Sequence, residues 1–72
     1  MAVDPQVLAA IDGAVRADPA NRALRLHLVD LLLDDGQHAA ALGHCEVMLQ
    51  QSPDDADALG RKAQALSQFG DR

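Results

Sequence analysis

The chain has 72 residues, a formal net charge of −5 and a single aromatic residue, Phe69. This length gives one small domain, near the lower size limit for a core without disulfides or metal. Eleven acidic residues outnumber six basic ones, which form no stripe, so nucleic acid and anionic membranes are not expected as partners. A single cysteine, Cys45, excludes an internal disulfide, and no leader sequence or membrane-spanning apolar run is found, which together predict a cytoplasmic protein.

Helix-forming residues dominate the hydrophobic half of the sequence, and no stretch alternates apolar and polar residues as a strand would. The predicted fold class is therefore all-α. The first helix is expected over residues 4–17, with Asp4 as its N-cap and Pro5 at its first position. The second follows the N-cap Asn21, runs to about Asp35 and stops at Gly36, a residue suited to the left-handed backbone of a helix end.

Two further helices complete the chain. The third is expected from about Gln37 or His38 to Gln51, and the fourth over residues 55–70. Asp54 or Asp55 offers the fourth helix a carboxylate N-cap. The apolar stripe predicted to bury this helix consists of Ala58, Leu59, Ala63, Leu66 and Phe69.

The four helices repeat with a period of 34 residues, because Pro19 returns as Pro53 and Gly36 returns as Gly70. The same shift maps the apolar positions of the third helix onto the first, and those of the fourth onto the second. A period of this length is typical of stacked helical hairpins, in which each hairpin buries its apolar face only against a neighbour.

Residues 22–55 carry the pattern of one complete hairpin. Leu28, Val29 and Leu32 occupy packing positions of its first helix, and Gly36 occupies the turn. The second helix and its end supply Ala41, Cys45, Met48 and Pro53. This pattern resembles the tetratricopeptide repeat, although Arg25 stands where that family usually has an aromatic residue. The resemblance implies a right-handed superhelical stack of antiparallel helix hairpins that acts as a scaffold or adaptor in protein–protein interaction.

By the same resemblance, the chain is a single domain, residues 1–72, that reads as a half repeat (4–17), a whole repeat (21–53) and a half repeat (55–70). Both terminal helices then lack their usual hairpin partner. Either the protein continues beyond Arg72, or the open ends associate, which makes a homodimerising structural unit an alternative function.

A weaker resemblance suggests another alternative. Asp4-Pro5 and the segment 25–28 look like short amino-terminal segments that precede AAA+ ATPase modules in high-GC bacteria. This resemblance implies a recruitment or regulatory domain of a larger ATPase.

In the repeat family, the first helix of each hairpin lines the concave side, which here means the second and fourth helices. Leu26 and Leu33 lie two turns apart with Asp30 between them, so the expected partner is a peptide or helix with apolar anchors and basic residues. An alternative for the two leucines is a larger core or an oligomer contact. The predicted partner-binding residues are Ala23, Leu26, Asp30, Leu33, Asp34, Asp57, Arg61 and Gln64.

Other functions are not expected from these residues. Arg61 is the one anion donor on that face, which argues against a clamp for acidic chaperone tails. His38 and Cys45 share a helix face, but His44 points about 100° away from Cys45, so no metal site is expected. Without a nucleophile oriented by a base, we expect no enzyme in this segment, and no cofactor.

Overall fold

The computed structural model describes residues 3–70, with side chains through residue 68. This range forms four helices and contains no strand, so the all-α prediction is confirmed. The predicted bounds differ from the observed ones by one residue at most. The helices are α1 (Pro5–Ala17), α2 (Arg22–Asp34), α3 (His38–Gln51) and α4 (Ala56–Gly70).

Short polar side chains begin three of the helices. The Asp4 carboxylate accepts the backbone N–H of Gln6 at 2.8 Å, and the Asn21 side-chain oxygen accepts that of Leu24 at 3.0 Å. The Asp55 carboxylate likewise accepts the backbone N–H of Ala58 at 3.2 Å. Each contact satisfies a donor that the first turn of a helix leaves free.

The turn between α2 and α3 depends on Gly36, which has a φ of +79°. Its N–H donates to the Leu33 carbonyl at 3.2 Å, and the N–H of Gln37 donates to the Leu32 carbonyl at 2.9 Å. These two bonds form the Schellman pattern of a helix end, which requires a left-handed residue. The predicted role of Gly36 is confirmed.

The helices form a thin stack with α2 at its centre. This helix packs against α1, α3 and α4, while α4 packs against α3 and α2. The backbone N–H of Val3 donates to the Asp35 carboxylate at 3.1 Å, so α1 begins where α2 ends and the two are antiparallel. The Cα atoms extend over 33 × 30 × 13 Å, close to one layer of helix hairpins.

The core consists of aliphatic residues and sulfur-containing residues. Leu28, Val29 and Cys45 are its largest fully buried side chains, so Cys45 is the packing residue that its spacing predicted. The buried set as a whole is Val15, Leu28, Val29, Leu32, Leu33, Ala41, Cys45, Met48, Ala58 and Ala65.

The apolar stripe predicted for α4 is largely wrong. Ala58 is buried, but Leu59 and Leu66 are each 46% exposed and Ala63 is exposed as well. The side of α4 that packs against α2 and α3 carries Ala58 together with Ala65, which the predicted stripe did not include, and no described helix covers the opposite side. Phe69, the last member of the stripe, lies outside the residues whose side chains are described.

Arg25 joins α2 to α3 at the position where the family usually has an aromatic residue. Its guanidinium donates to the Pro19 carbonyl at 3.2 Å and lies 3.0 Å from Nδ1 of His44. Burial, and then the positive charge of Arg25, lower the pKa of His44. A neutral imidazole can accept a hydrogen bond from the guanidinium, so a polar contact takes the place of ring packing.

Candidate partner-binding face

The predicted partner face lies along α2 and α4. We use this name for Ala23, Leu26, Asp30, Asp34, Asp57, Arg61 and Gln64. Arg22 at the start of α2 contacts Asp55 at the start of α4, and Asp30 farther along α2 contacts Arg61 farther along α4. The two helices therefore run in the same direction, and the structure brings these seven residues onto neighbouring helices.

Leu33 does not belong to this surface. Only 8% of the residue is exposed, and it lies within the core cluster. Its expected place on the groove surface is wrong, and its alternative assignment to a larger core is correct. Leu26 is half-buried and packs against the same core, so it presents only part of its side chain outward.

Asp30 and Arg61 form a two-pronged ion pair across the face. Nε of Arg61 donates to one Asp30 oxygen at 2.7 Å, and a terminal nitrogen donates to the other at 3.1 Å. This hydrogen-bonded carboxylate raises the pKa of Arg61. Arg61 also donates to the backbone carbonyl of Asp57 at 3.2 Å. Both residues hold α2 against α4, and their charges largely neutralise each other.

A second ion-pair cluster lies at the helix starts. The Arg22 guanidinium donates to the two Asp55 oxygens at 2.8 and 2.6 Å and to Asp57 at 2.7 Å. The Asp55 side chain is only 5% exposed. Arg22, together with the backbone N–H groups of Ala58 and Asp57, lowers the pKa of Asp55 to about 2.

Sequence reasoning treated Asp55 as a helix cap and did not pair it with Arg22. A signal for this contact exists in the repeat, because Asp55 lies 34 residues after the N-cap Asn21. Asp55 is the ionised N-cap of α4, and Arg22 directly follows the equivalent N-cap of α2. A carboxylate and an arginine at the starts of equivalent helices favour a contact between adjacent repeats.

These ion pairs leave the face with little free charge. Asp30 and Asp57 each contact an arginine, whereas Asp34 is exposed and forms no ion pair among the described residues. The remaining exposed positions, Ala23 and Gln64, are small or neutral. Asp34 is therefore the carboxylate on this face that is most available to another molecule.

A cleft of about 290 Å³ lies on the other side of α2, between α1 and α3. Leu28 and Leu32 contribute from α2, and they point away from Leu26 and Asp30 on the same helix. The remaining lining residues are Leu8, Ala9, Asp12, Gln37, Ala40 and His44.

The described residues offer little reactive chemistry. No group of three or more histidine, cysteine or acidic residues within them could hold a metal ion. Burial raises the pKa of the Cys45 thiol, which makes it a poor nucleophile. None of the four helices is both long and apolar enough to cross a membrane.

Comparison with known proteins identifies the fold. The tetratricopeptide repeat family model matches residues 32–72, which is more than half of the chain. The chain belongs to the tetratricopeptide repeat family. Proteins of this family are generally protein–protein interaction modules and are typically not enzymes. No curated protein and no solved structure shows a significant match, and the weaker resemblance to AAA+ ATPase segments has no support.

Proposed function

We propose that this tetratricopeptide repeat chain is an adaptor that binds a peptide or helix of another protein along the partner face. The observation that carries the proposal is the pair of ion-pair clusters between α2 and α4. Because Asp30–Arg61 and Arg22–Asp55 fix the two helices side by side, a partner meets a surface that is already ordered. A preordered surface lowers the entropic cost of binding.

The chemistry of the face favours a partner with one apolar and one basic side chain. Leu26 provides partial apolar contact beside the small residue Ala23, and Asp34 provides the unpaired carboxylate. Leu26 and Asp34 lie on α2 about 12 Å apart, at 1.5 Å per residue. An extended peptide spans this distance in roughly four residues, so we expect its leucine-like anchor and its lysine or arginine at that separation.

The proposal can be tested with a short synthetic peptide that carries leucine and lysine at this spacing. We expect its titration to shift the backbone amide resonances of Ala23, Leu26, Asp34 and Gln64 in two-dimensional NMR spectra. A second peptide with glutamate in place of lysine should bind at least several-fold more weakly, because Asp34 would repel it.

Two variants separate charge recognition from general electrostatics. Asp34→Lys should weaken binding of the leucine–lysine peptide. Asp54→Lys makes the same charge change at an exposed position outside the face and should leave binding nearly unchanged. Shifts confined to the cleft between α1 and α3, or equal binding of the glutamate peptide, would contradict the proposal.

A further inference from the structure

Exposed apolar side chains are concentrated at the two ends of the stack. Four large hydrophobic residues are exposed in the described part of the chain, namely Val7, Val47, Leu59 and Leu66. Val7 lies on α1, and Leu59 and Leu66 lie on α4, whereas Val47 lies on α3. Three of the four therefore belong to the terminal helices.

The equivalent helix α2 shows which kind of neighbour would cover the exposed side of α4. A shift of 34 residues places Leu59, Ala63 and Leu66 on Arg25, Val29 and Leu32 of α2. Val29 is fully buried, Leu32 is 6% exposed, and Arg25 contacts His44 of α3. This stripe of α2 therefore faces α3, so the stripe of α4 lacks a helix equivalent to α3.

The chain itself contains such a helix in α1. The same shift places Val7, Ala10 and Ala14 of α1 on three residues of α3, which are Ala41, His44 and Met48. Ala41 and Met48 are buried against the neighbouring helices, but Val7 and Ala10 are exposed on α1. The face of α1 that corresponds to the α2-facing side of α3 is thus open.

A cleft beside α4 also indicates that this helix lacks a neighbour. Glu46, Leu49, Gln50 and Lys62 line a cleft of about 230 Å³ between α3 and α4. Glu46 and Lys62 correspond to Asp12 and Leu28, which line the cleft between α1 and α3. The cleft between α1 and α3 is lined by residues of α1, α2 and α3. The cleft beside α4 is lined by residues of α3 and α4 alone, because no described helix occupies the position equivalent to that of α3 in the first cleft.

The charges of α4 and of α1 from another copy do not oppose a contact between them. Counted with their N-caps, α4 is neutral, because Asp55 and Asp57 balance Arg61 and Lys62, and α1 has a net charge of −1 from Asp4 and Asp12 against Arg16. A neutral helix meets no net repulsion from an acidic one.

The repeat also predicts which residues would meet at such a junction. The contact of Arg25 with His44 would become an apolar contact of Leu59 with Ala10 of the second copy. The ion pair of Asp30 with Arg61 would become a contact of Gln64 with His27 of the second copy. Neither substitution places two like charges together, so the junction carries no electrostatic penalty at these positions.

We propose that copies of this chain stack head to tail, with α4 of one copy and α1 of the next forming a hairpin equivalent to α2 and α3. The two surfaces differ, so the contact is heterologous, and each added copy exposes a fresh α4. The result is an open-ended series of oligomers that grows with concentration and does not stop at a closed dimer.

Sedimentation velocity of the 72-residue chain across a dilution series tests this proposal. We expect the mean sedimentation coefficient to rise with concentration without a plateau at the dimer. Val7→Glu blocks the α1 end and Leu66→Glu blocks the α4 end, so each variant alone should remain monomeric. An equimolar mixture should form a 1:1 dimer, because each variant keeps the end that the other has lost.

Control variants separate loss of the junction from effects of the added charge or of unfolding. Val47→Glu introduces the same charge at an exposed valine outside the junction and should leave association unchanged. If Val7→Glu or Leu66→Glu reduces helicity, Ala10→Glu or Leu59→Glu replaces it at another exposed position of the same stripe. A wild-type chain that is monomeric at all concentrations, or a variant mixture that stays monomeric, overturns the proposal.

Discussion

Helices α2 and α4 occupy the same place in successive repeats but have different surroundings. At equivalent positions, α2 carries Leu28, Val29 and Leu32, all buried. The corresponding residues of α4 include Lys62, which is half-buried, and Leu66, which is exposed. Neighbours pack on α2 from α1, α3 and α4, whereas α4 has neighbours on one side. A repeat position is therefore buried by the helices around it, and its residue type alone does not determine burial.

The two helices also differ in what holds them. Apolar burial extends along much of α2, from Leu28 to Leu33. In α4, the polar contacts of Asp55, Asp57 and Arg61 lie in the first half, and Ala65 is the last buried residue among those with described side chains. Helix α4 is thus joined to α2 by ion pairs in its first half, while its most extensive packing is against α3.

The largest expected effect compares the two equivalent leucines directly. Leu32→Ala removes a buried side chain and should lower the free energy of unfolding by about 2–4 kcal/mol. Leu66→Ala makes the same change at an exposed position and should cost less than about 0.5 kcal/mol. Urea denaturation followed by far-ultraviolet circular dichroism measures both.

The same stability measurements at several protein concentrations show what surrounds Leu66. A Leu66→Ala cost that grows with protein concentration would show that another copy covers α4, whereas a large cost in dilute solution would place Leu66 in the core of the monomer.

A smaller effect is expected from two glycines. Gly36→Val should destabilise the chain by about 1–3 kcal/mol, because a β-branched residue is strained at positive φ. No atom outside the adjacent residues lies within 4 Å of a Cβ built on Gly36, so backbone strain is the cause. Thermal and urea denaturation measure the change.

Gly60 provides the opposite case, since it lies within helix α4 and has open space around it. Gly60→Ala should stabilise the chain by roughly 0.5–1 kcal/mol. Equal effects of the same sign at Gly36 and Gly60 would contradict the assigned turn.

The smallest expected effect concerns pH. Asp55 has a pKa of about 2 in the folded chain, below its ordinary value of 3.8, so its carboxylate form favours folding. Its contribution is present above pH 3.8 and is lost as the pH falls towards 2. Asp55→Asn should lower the melting temperature by a few degrees at neutral pH and flatten its decline in this acidic interval.

Asp54→Asn is the matched control for this measurement, because Asp54 is exposed and its carboxylate contacts only Ser52 Oγ, at 3.4 Å, among the described residues. It should preserve the acidic decline. Identical pH profiles for the two variants would show that the Arg22–Asp55 pair contributes little to the joining of α2 and α4.

The local features of the fold could be predicted from the sequence. Asp4, Asn21, Asp55 and Gly36 act within one helical turn of their own position, so their residue types indicated the helix ends. The 34-residue period then indicated which helices share a place in the repeat.

The candidate face was only partly predictable. Leu26 and Leu33 lie on the same side of α2 by spacing, and only the position of the neighbouring helices decides that Leu33 is the buried one. The Arg22–Asp55 pair joins residues 33 positions apart, and its formation depends on how far a long side chain reaches across a helix junction. Spacing along one helix contains neither kind of information.

Cys45 has a practical consequence for all of these measurements. It is the single thiol of the chain and is fully buried where α3 packs against its neighbours, and the chain contains no tryptophan or tyrosine. An alkylating reagent can reach the sulfur only when the packing around it opens, so the labelling rate reports the frequency of that opening. Mass spectrometry of the natural sequence can therefore follow the stability of its central junction without an engineered probe.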